Sequence, residues 1–299
     1  MGPPTASKGA ASLPAPSAID VHVHLPIPEW LDASVGPYIE SAARYFRREV
    51  TARPMEDVAA EYEGLDMVGV LLAWDAETAT GRPPLSNELV AGVVERFPGR
   101  FVGFGSVDPH RPDARQLVAQ LPDLGLVGLK LHPTAQGFDP SADEFMPFFE
   151  AAAKAGLAVI THTGTSGLGA GCPGGQGLRI DLARPALLDR AAAAFPELKV
   201  VLAHVGWPWH LEALAMALHK TNVYIDISGW RFRYLPDEVV RDMKGRLSDR
   251  FLFGTDLPMF DPADLLSELD GLGLPDDVKE KVLVGNAAEL LGLTQPSPY

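Results

Sequence analysis

Eight short apolar segments recur along the 299-residue chain, and a helix-like stretch or a loop separates each from the next. They lie at residues 18–24, 68–74, 101–109, 126–133, 157–164, 200–206, 223–229 and 251–258. Most are runs of Val, Ile and Leu, as parallel strands buried on both faces require. The stretches 143–156, 184–196 and 236–248 are amphipathic or Ala-rich, like surface helices. This alternation predicts an α/β fold, a (β/α)8 TIM barrel; the alternative is a doubly wound open sheet.

The chain length allows one barrel domain, which we place at residues 18–299. Residues 1–17 are rich in Pro, Ala, Gly and Ser and lack the features of a secretory signal, so we predict a disordered N-terminal tail. The segment 25–53 breaks the alternation directly after the first strand. We therefore predict that it caps the face where the carboxyl ends of the strands meet.

The overall charge and the cysteine content restrict the partners and the compartment. The chain has 25 basic and 39 acidic residues, a formal charge of −14 that opposes binding to nucleic acid or to an anionic membrane. Its apolar runs are shorter than the roughly 20 residues of a membrane helix. A single cysteine, Cys172, cannot form an internal disulfide, which agrees with a reducing compartment. We predict a cytoplasmic protein with a small-molecule substrate.

Four polar residues close apolar segments that are far apart in sequence: His22 and His24, His162, and Asp256. Residues two apart on a strand project from the same face, so His22 and His24 can bind one ion together. Imidazole and carboxylate ligands suit zinc, and also iron, manganese or nickel. We predict that these four residues hold one divalent ion, most simply zinc, and that Asp256 also moves a proton. Hydrogen-bonded core histidines are the alternative.

Three further residues at strand ends are candidates for chemistry. His204 closes the sixth segment and is predicted to be catalytic, as a general acid or base or by polarising a carbonyl; a fourth ligand or a structural histidine is the alternative. Lys130 and His132 share a strand face and are predicted to contact a substrate carboxylate or carbonyl. A carbamylated Lys130 that bridges a second metal is the other possibility.

Loops after the sixth and seventh segments supply the remaining predicted substrate contacts, Trp207, Trp230 and Arg231. Tryptophans beside the barrel mouth can form an aromatic wall, although many such residues only pack. An arginine presents a two-pronged donor to carboxylates, although exposed loop arginines are also common.

A set of motifs then resembles a known family. DVHVH, GLKLHP, ITHTG, AHVGWPW, YIDISG, FGTDLP and GNAAELLGL, in this order across about residues 18–293, resemble the amidohydrolase superfamily. The similar group is the amidohydrolase-related one that includes aminocarboxymuconate-semialdehyde decarboxylase. The resemblance implies a (β/α)8 TIM barrel of the metal-dependent hydrolase type, a metal at the residues matching His22, His24, His162 and Asp256, and His204 as the catalytic histidine. It also implies a homodimer.

The residues and the resemblance together predict a metal-dependent hydrolase. It would act on a small carbonyl compound of the β-keto, lactone or amide type, carrying a carboxylate, with a metal-activated water. The alternative is a metal-dependent non-oxidative decarboxylase of an aromatic or unsaturated acid. A binding protein without turnover is a third possibility, but such a chain should have lost its ligands.

Overall fold

The computed structural model describes residues 16–293. The predicted disordered tail, 1–17, falls almost wholly outside this range, and so does the end of the predicted domain, 294–299. The predicted cap and all eight apolar segments lie within it.

Eight parallel strands form one sheet in sequence order, as the chain pattern predicts. The strands are β1 Ala18–His24, β2 Met67–Leu72, β3 Phe101–Ser106, β4 Gly128–Leu131, β5 Ala158–His162, β6 Val200–Ala203, β7 Val223–Asp226 and β8 Phe251–Leu252. The segment after β8 hydrogen-bonds back to β1, through Asp256 N to His22 O at 2.9 Å and His24 N to Leu257 O at 2.9 Å. The sheet therefore comes close to full closure, and the (β/α)8 barrel prediction is confirmed.

Helices connect the strands on the outside of the barrel. The α-helices are α1 Tyr38–Phe46, α2 Met55–Gly64, α3 Glu77–Thr80, α4 Asn87–Arg96, α5 Ala114–Gln120, α6 Pro133–Gln136, α7 Met146–Lys154, α8 Asp189–Ala194, α9 His210–His219, α10 Asp237–Lys244, α11 Pro262–Asp270, α12 Asp276–Glu280 and α13 Asn286–Leu291. Short 3₁₀ segments lie at Leu121–Leu124, Asp143–Phe145, Ile180–Ala183, Pro185–Leu188 and Phe232–Tyr234, and π-helical turns at Glu29–Val35 and Lys281–Gly285. In the range 16–293, none of these helices combines the length and the apolar character that a membrane span requires.

Strand β1 has the length that the sequence predicts, but the other seven strands end earlier than their apolar segments do. The difference is largest at β8, where the predicted strand 251–258 is a strand only at Phe251–Leu252. The residues just beyond the strand ends turn away from extended geometry, and His204 and Asp256 adopt positive φ angles of 61° and 64°. The polar residues of interest thus lie on turns at the rim of the barrel.

The buried apolar residues form two layers. One layer fills the space between the strands and the outer helices. The other fills the barrel interior with side chains such as Ile19, Val70, Phe104 and Ile160, and the C-terminal helix α13 packs against its lower end. Since the interior is packed, polar side chains can converge only at the opposite end, above the last apolar layer.

The segment after β1 folds over that end of the barrel. Its π-helical turn Glu29–Val35 and helix α1 contribute side chains to the cavity at the barrel mouth. Helix α1 is fixed to the glycine-rich loop after β5, because Gly169 N donates to Ser41 Oγ at 2.7 Å. Two segments therefore cover the mouth of the barrel, the predicted cap and the glycine-rich loop after β5.

Candidate active site

A cavity opens at the carboxyl ends of the strands and contains about 650 Å³ of space free of atoms, including the part open to solvent. Its inner end carries the polar side chains Lys130, His132, His162, His204 and Asp256. Its outer walls are aromatic and aliphatic, and come from the cap and from loops. A concave apolar site with a few convergent polar groups is the usual form of a small-molecule site.

A register shift in β1 directs its two histidines into the barrel. The pairing of β1 with β2 shifts between Asp20 and Val23. In a regular strand Val21 and Val23 would share a face, yet Val21 packs inside the barrel and Val23 packs in the outer layer. The shift exchanges the faces, so that His22 and His24 both point inward as the sequence predicts.

His22, His24 and Asp256 form a compact group that could hold a metal ion. Asp256 Oδ1 lies 3.6 Å from His22 Nε2 and 3.5 Å from His24 Nε2. His22 Nδ1 donates to Asp226 Oδ2 at 2.7 Å, because a carboxylate oxygen can only accept. This bond leaves a lone pair on His22 Nε2, which is the state that a metal ligand needs.

His162 lines the same cavity but lies outside that compact group. Its Nε2 atom is buried and has no hydrogen-bond partner among the described residues, and the same holds for Nδ1 of His24. Its ring stacks on that of His132 with 3.9 Å between the ring centroids. Buried polar atoms are rarely left without a partner. The orphaned Nε2 of His162 and the three-imidazole, one-carboxylate donor set therefore fit a divalent cation.

Lys130 lies next to His22, one of the predicted metal ligands. It is buried, and its Nζ donates to the lone pair of His22 Nε2 at 2.9 Å. Burial lowers the pKa of Lys130 to about 8, while the carboxylates of Asp256 and Asp226 oppose this shift. Lys130, which the sequence predicts to contact the substrate, thus lies at the inner end of the cavity, next to His22, a predicted metal ligand.

Burial sets the charge of the imidazoles in this cluster. It lowers the pKa of His22, His24, His132 and His162 well below 6.5, and the positive charge of Lys130 adds to the effect. These imidazoles are therefore neutral near pH 7 and able to bind a metal. Burial also raises the pKa of Asp256, which Lys130 opposes.

His204 is held by the segment that follows β7. Its Nδ1 lies 3.1 Å from the carbonyl oxygen of Ser228 and 3.0 Å from Ser228 Oγ. Since the carbonyl can only accept, Nδ1 carries the proton and Nε2 carries a lone pair. Burial lowers the pKa of His204 to about 4, so the ring is neutral. A Cβ atom on Gly229 would lie 2.6 Å from His204 Nδ1, so only glycine lets the ring take this position.

Asp226 and Ser228 connect His22 to His204, although neither is among the residues predicted from the sequence to have a role. Asp226 Oδ2 accepts from His22 Nδ1 and, at 2.6 Å, from Ser228 Oγ. Asp226, His22 and His204 also form a compact group. Because Ser228 bridges them by hydrogen bonds, we interpret this group as a hydrogen-bond network. The i, i+2 spacing of Asp226 and Ser228 on one strand face was the signal available in the sequence.

The predicted substrate contacts divide into two sets. Trp207 and Trp230 line the cavity with ring centroids 5.7 Å apart, and His132 lines it beside His162. His132 Nδ1 accepts from Ala135 N at 3.2 Å, which places the ring proton on Nε2. Arg231 is not among the described residues that line the cavity.

The guanidinium of Arg231 pairs with two acidic residues of α11. Its nitrogens lie 3.0 Å from Glu268 Oε1 and 3.0 Å from Asp264 Oδ2. Two tryptophans that are not among the predicted contacts also line the cavity: Trp30, which stacks on His24 with centroids 4.6 Å apart, and Trp74. Trp74 closes the second apolar segment, so its place at a strand end was the signal available in the sequence, whereas no local pattern marks Trp30 in the π-helical turn of the cap.

The model of the family described as Amidohydrolase matches residues 19–293, which is nearly the whole chain. The chain therefore belongs to this amidohydrolase family, and it is an amidohydrolase-superfamily enzyme. Members of the superfamily bind a divalent metal, in agreement with the histidine and aspartate cluster.

Solved structures with similar folds include an uncharacterised TIM-barrel protein of Bordetella bronchiseptica, at 25% identity and TM-score 0.76 over 92% of this chain and 98% of that one. A dihydroxybenzoic acid decarboxylase of Polaromonas sp. JS666, with bound manganese and the inhibitor 2-nitroresorcinol, matches at 18% identity and TM-score 0.67 over 94% and 98%. A protein of Acinetobacter baumannii described as a "probable 2-pyrone-4,6-dicarboxylic acid hydrolase", with citric acid bound, matches at 17% identity and TM-score 0.64 over 92% and 99%. Similarity at these identities supports the fold, and the neighbours include both hydrolase and decarboxylase chemistry.

Proposed function

We propose that this enzyme is a metal-dependent hydrolase of a small carbonyl compound of the β-keto, lactone or amide type that carries a carboxylate. The observation that carries the proposal is the convergence of His22 Nε2, His24 Nε2 and Asp256 Oδ1 beside His204. When bound, a divalent ion, most simply zinc, supplies Lewis acidity and lowers the pKa of water to about 7. His22, His24, His162 and Asp256 would hold it.

The side chains around this centre have complementary hydrogen-bonding roles. His204 is neutral with its lone pair on Nε2, so it can accept a proton from an attacking water. His132 carries its proton on Nε2 and can donate to a substrate carbonyl oxygen. Lys130 supplies a positive charge for a substrate carboxylate or for the oxygen that gains charge in the transition state. In a second route Asp256, whose pKa is raised by burial, takes the proton from the water in place of His204 and delivers it to the leaving group.

The apolar aromatic walls favour one alternative function, non-oxidative decarboxylation of an aromatic or unsaturated acid. In this reaction Lys130 would orient the carboxylate, and His204 or Asp256 would move the proton that replaces carbon dioxide. The flat rings of Trp30, Trp74, Trp207 and Trp230 would contact the unsaturated part of such a substrate. Water would not be consumed.

The test begins with metal analysis of the purified protein by mass spectrometry, followed by a screen of β-keto acids, lactones, amides and aromatic carboxylic acids. Activity should disappear on chelation and return with zinc or manganese. His204→Gln should lower kcat by about 100-fold or more. His219→Gln, at an exposed position on α9, is the matched control. Activity that survives chelation would refute the proposal.

Isotopes separate the two reactions. In water labelled with heavy oxygen, hydrolysis places one labelled oxygen in the product acid, whereas decarboxylation places a deuteron from heavy water on carbon and releases carbon dioxide. We expect the first result. A cytoplasmic location agrees with the single cysteine, Cys172. A homodimer is the expected assembly and can be checked by light scattering.

A further inference from the structure

The cavity separates its charged groups from its apolar surface. Ionisable side chains occur at the strand ends, with Lys130 and Asp256 at the inner end beside the buried imidazoles. Trp30, Tyr45 and Trp207 form part of the outer wall, where Tyr45 is 43% exposed and Trp207 is 40% exposed. The hydroxyl groups of Tyr45, Thr165 and Ser166 also line the cavity, but a ligand would meet charged partners only at its inner end.

Lys130 is the only lysine or arginine among the described residues that line the cavity. The arginines of the surrounding segments, Arg47 and Arg48 after α1 included, do not line the cavity, and three of them have partners elsewhere. Arg44 of α1 donates to Cys172 Sγ at 3.3 Å. Arg231 and Arg233, after β7, both pair with Glu268 of α11. In the part of the chain between 16 and 293, the outer wall thus has no cationic side chain to bind a second anion.

This distribution of charge selects between ligands. A carboxylate that enters an apolar region loses hydration, and without a charged partner that loss is not recovered. A flat uncharged ring gains contact area and favourable aromatic geometry against the indole rings of Trp30, Trp74 and Trp207. The inner end, with Lys130 and a bound cation, can balance one carboxylate.

We propose that the site takes a mono-anionic substrate whose remaining part is flat, unsaturated and uncharged, and that it excludes compounds with a second carboxylate. The proposal rests on the proposed function for the position of the reacting end. It adds the substrate class, which the metal centre alone does not define.

The test compares the binding of benzoate and isophthalate, which share one ring and differ by one carboxylate, to the metal-loaded protein. Trp30, Trp74, Trp207 and Trp230 are four of the five tryptophans of the chain and line the cavity, so quenching of intrinsic fluorescence reports binding without turnover. We expect a Kd for benzoate about 100-fold lower than that for isophthalate. An isophthalate Kd equal to or below that of benzoate would overturn the proposal, and so would binding of neither ligand.

Variants of Tyr45 add a gain-of-binding test at an exposed position of the wall. Tyr45→Arg places a cation there and should tighten isophthalate binding about 10-fold or more, while Tyr45→Gln, the neutral control, should not. A protein with the expected preference but no metal-dependent turnover would refute the proposed function and support this ligand preference. Metal-dependent hydrolysis of dicarboxylates would support the proposed function and refute this ligand preference.

Discussion

Asp226→Asn should weaken metal binding although Asp226 is not a predicted ligand. The carboxylate accepts three hydrogen bonds, from His22 Nδ1 and Ser228 Oγ at its Oδ2 and from Ser228 N, at 2.7 Å, at its Oδ1. An asparagine has one acceptor oxygen. In either orientation its amide N–H₂ faces a donor, so the substitution breaks at least one of these contacts.

The size of the effect follows from the His22 tautomer. If the amide N–H₂ faces His22 Nδ1, that nitrogen must become the acceptor and the proton moves to Nε2, where it occupies the lone pair that the metal requires. Loss of such a partner costs about 10-fold to 100-fold in metal affinity. This range corresponds to about 1.4–2.8 kcal/mol.

The assay is competition for zinc with a chromophoric chelator, with circular dichroism to confirm folding. Asp242→Asn is the matched control. Asp242 is also a buried aspartate on the outer helix α10, and it pairs with Arg241 of that helix and with Arg246 just after it. The control should lose stability without a change in zinc Kd. If Asp226→Asn bound zinc within about 3-fold of the unmodified protein, the tautomer argument would be wrong.

Three further outcomes are expected. Gly229→Ala should displace the His204 ring, because the added Cβ would lie 2.6 Å from Nδ1. We expect kcat to fall about 10-fold or more while the Kd for zinc stays unchanged. An effect on KM alone would contradict this. Lys130→Met should leave one metal per chain, bound as tightly or more tightly, because it removes a positive charge near the ligands, whereas a drop in metal content would favour a carbamylated bridging lysine. Metal-free protein should lose stability as the pH falls below about 6.5. Burial lowers the folded-state pKa of five histidines of the site, so the unfolded chain binds more protons than the folded chain in this range. Each histidine that stays neutral in the folded state lowers the free energy of unfolding by about 2 kcal/mol near pH 5. The raised pKa values of Asp226 and Asp256 act in the opposite direction, and urea titrations from about pH 8 to pH 5 measure the net slope, which should be reduced by excess zinc.

Much of the fold and part of the site could be predicted because both depend on local pattern. Buried parallel strands have a composition that identifies them, and polar residues at their carboxyl ends must meet in a barrel. These two rules predict that His22, His24, His162 and Asp256 converge at one end of the barrel. They do not predict the register shift in β1. In a regular strand with Val21 inside the barrel, His22 and His24 would both point outward, and the shift is what turns them inward.

Contacts between distant segments determine the features that local pattern could not predict. Arg231 belongs to a motif that favours anion binding, but its partner Glu268 lies 37 residues further on, on α11, where no local rule could identify it. Trp30 lines the cavity only because the cap folds over the barrel mouth. The role of Ser228 follows only from its hydrogen bond with His204, which is distant in sequence.

The backbone at His204 and Asp256 has a consequence for how this enzyme can change over time. Both are non-glycine residues in the left-handed region, a conformation that costs on the order of 1–3 kcal/mol at each position. Replacement by glycine would relieve that cost and, in the same step, remove a side chain that the proposed function requires. At these two positions selection for a more durable protein and selection for turnover therefore oppose each other, and a screen for thermostability alone would tend to recover inactive descendants.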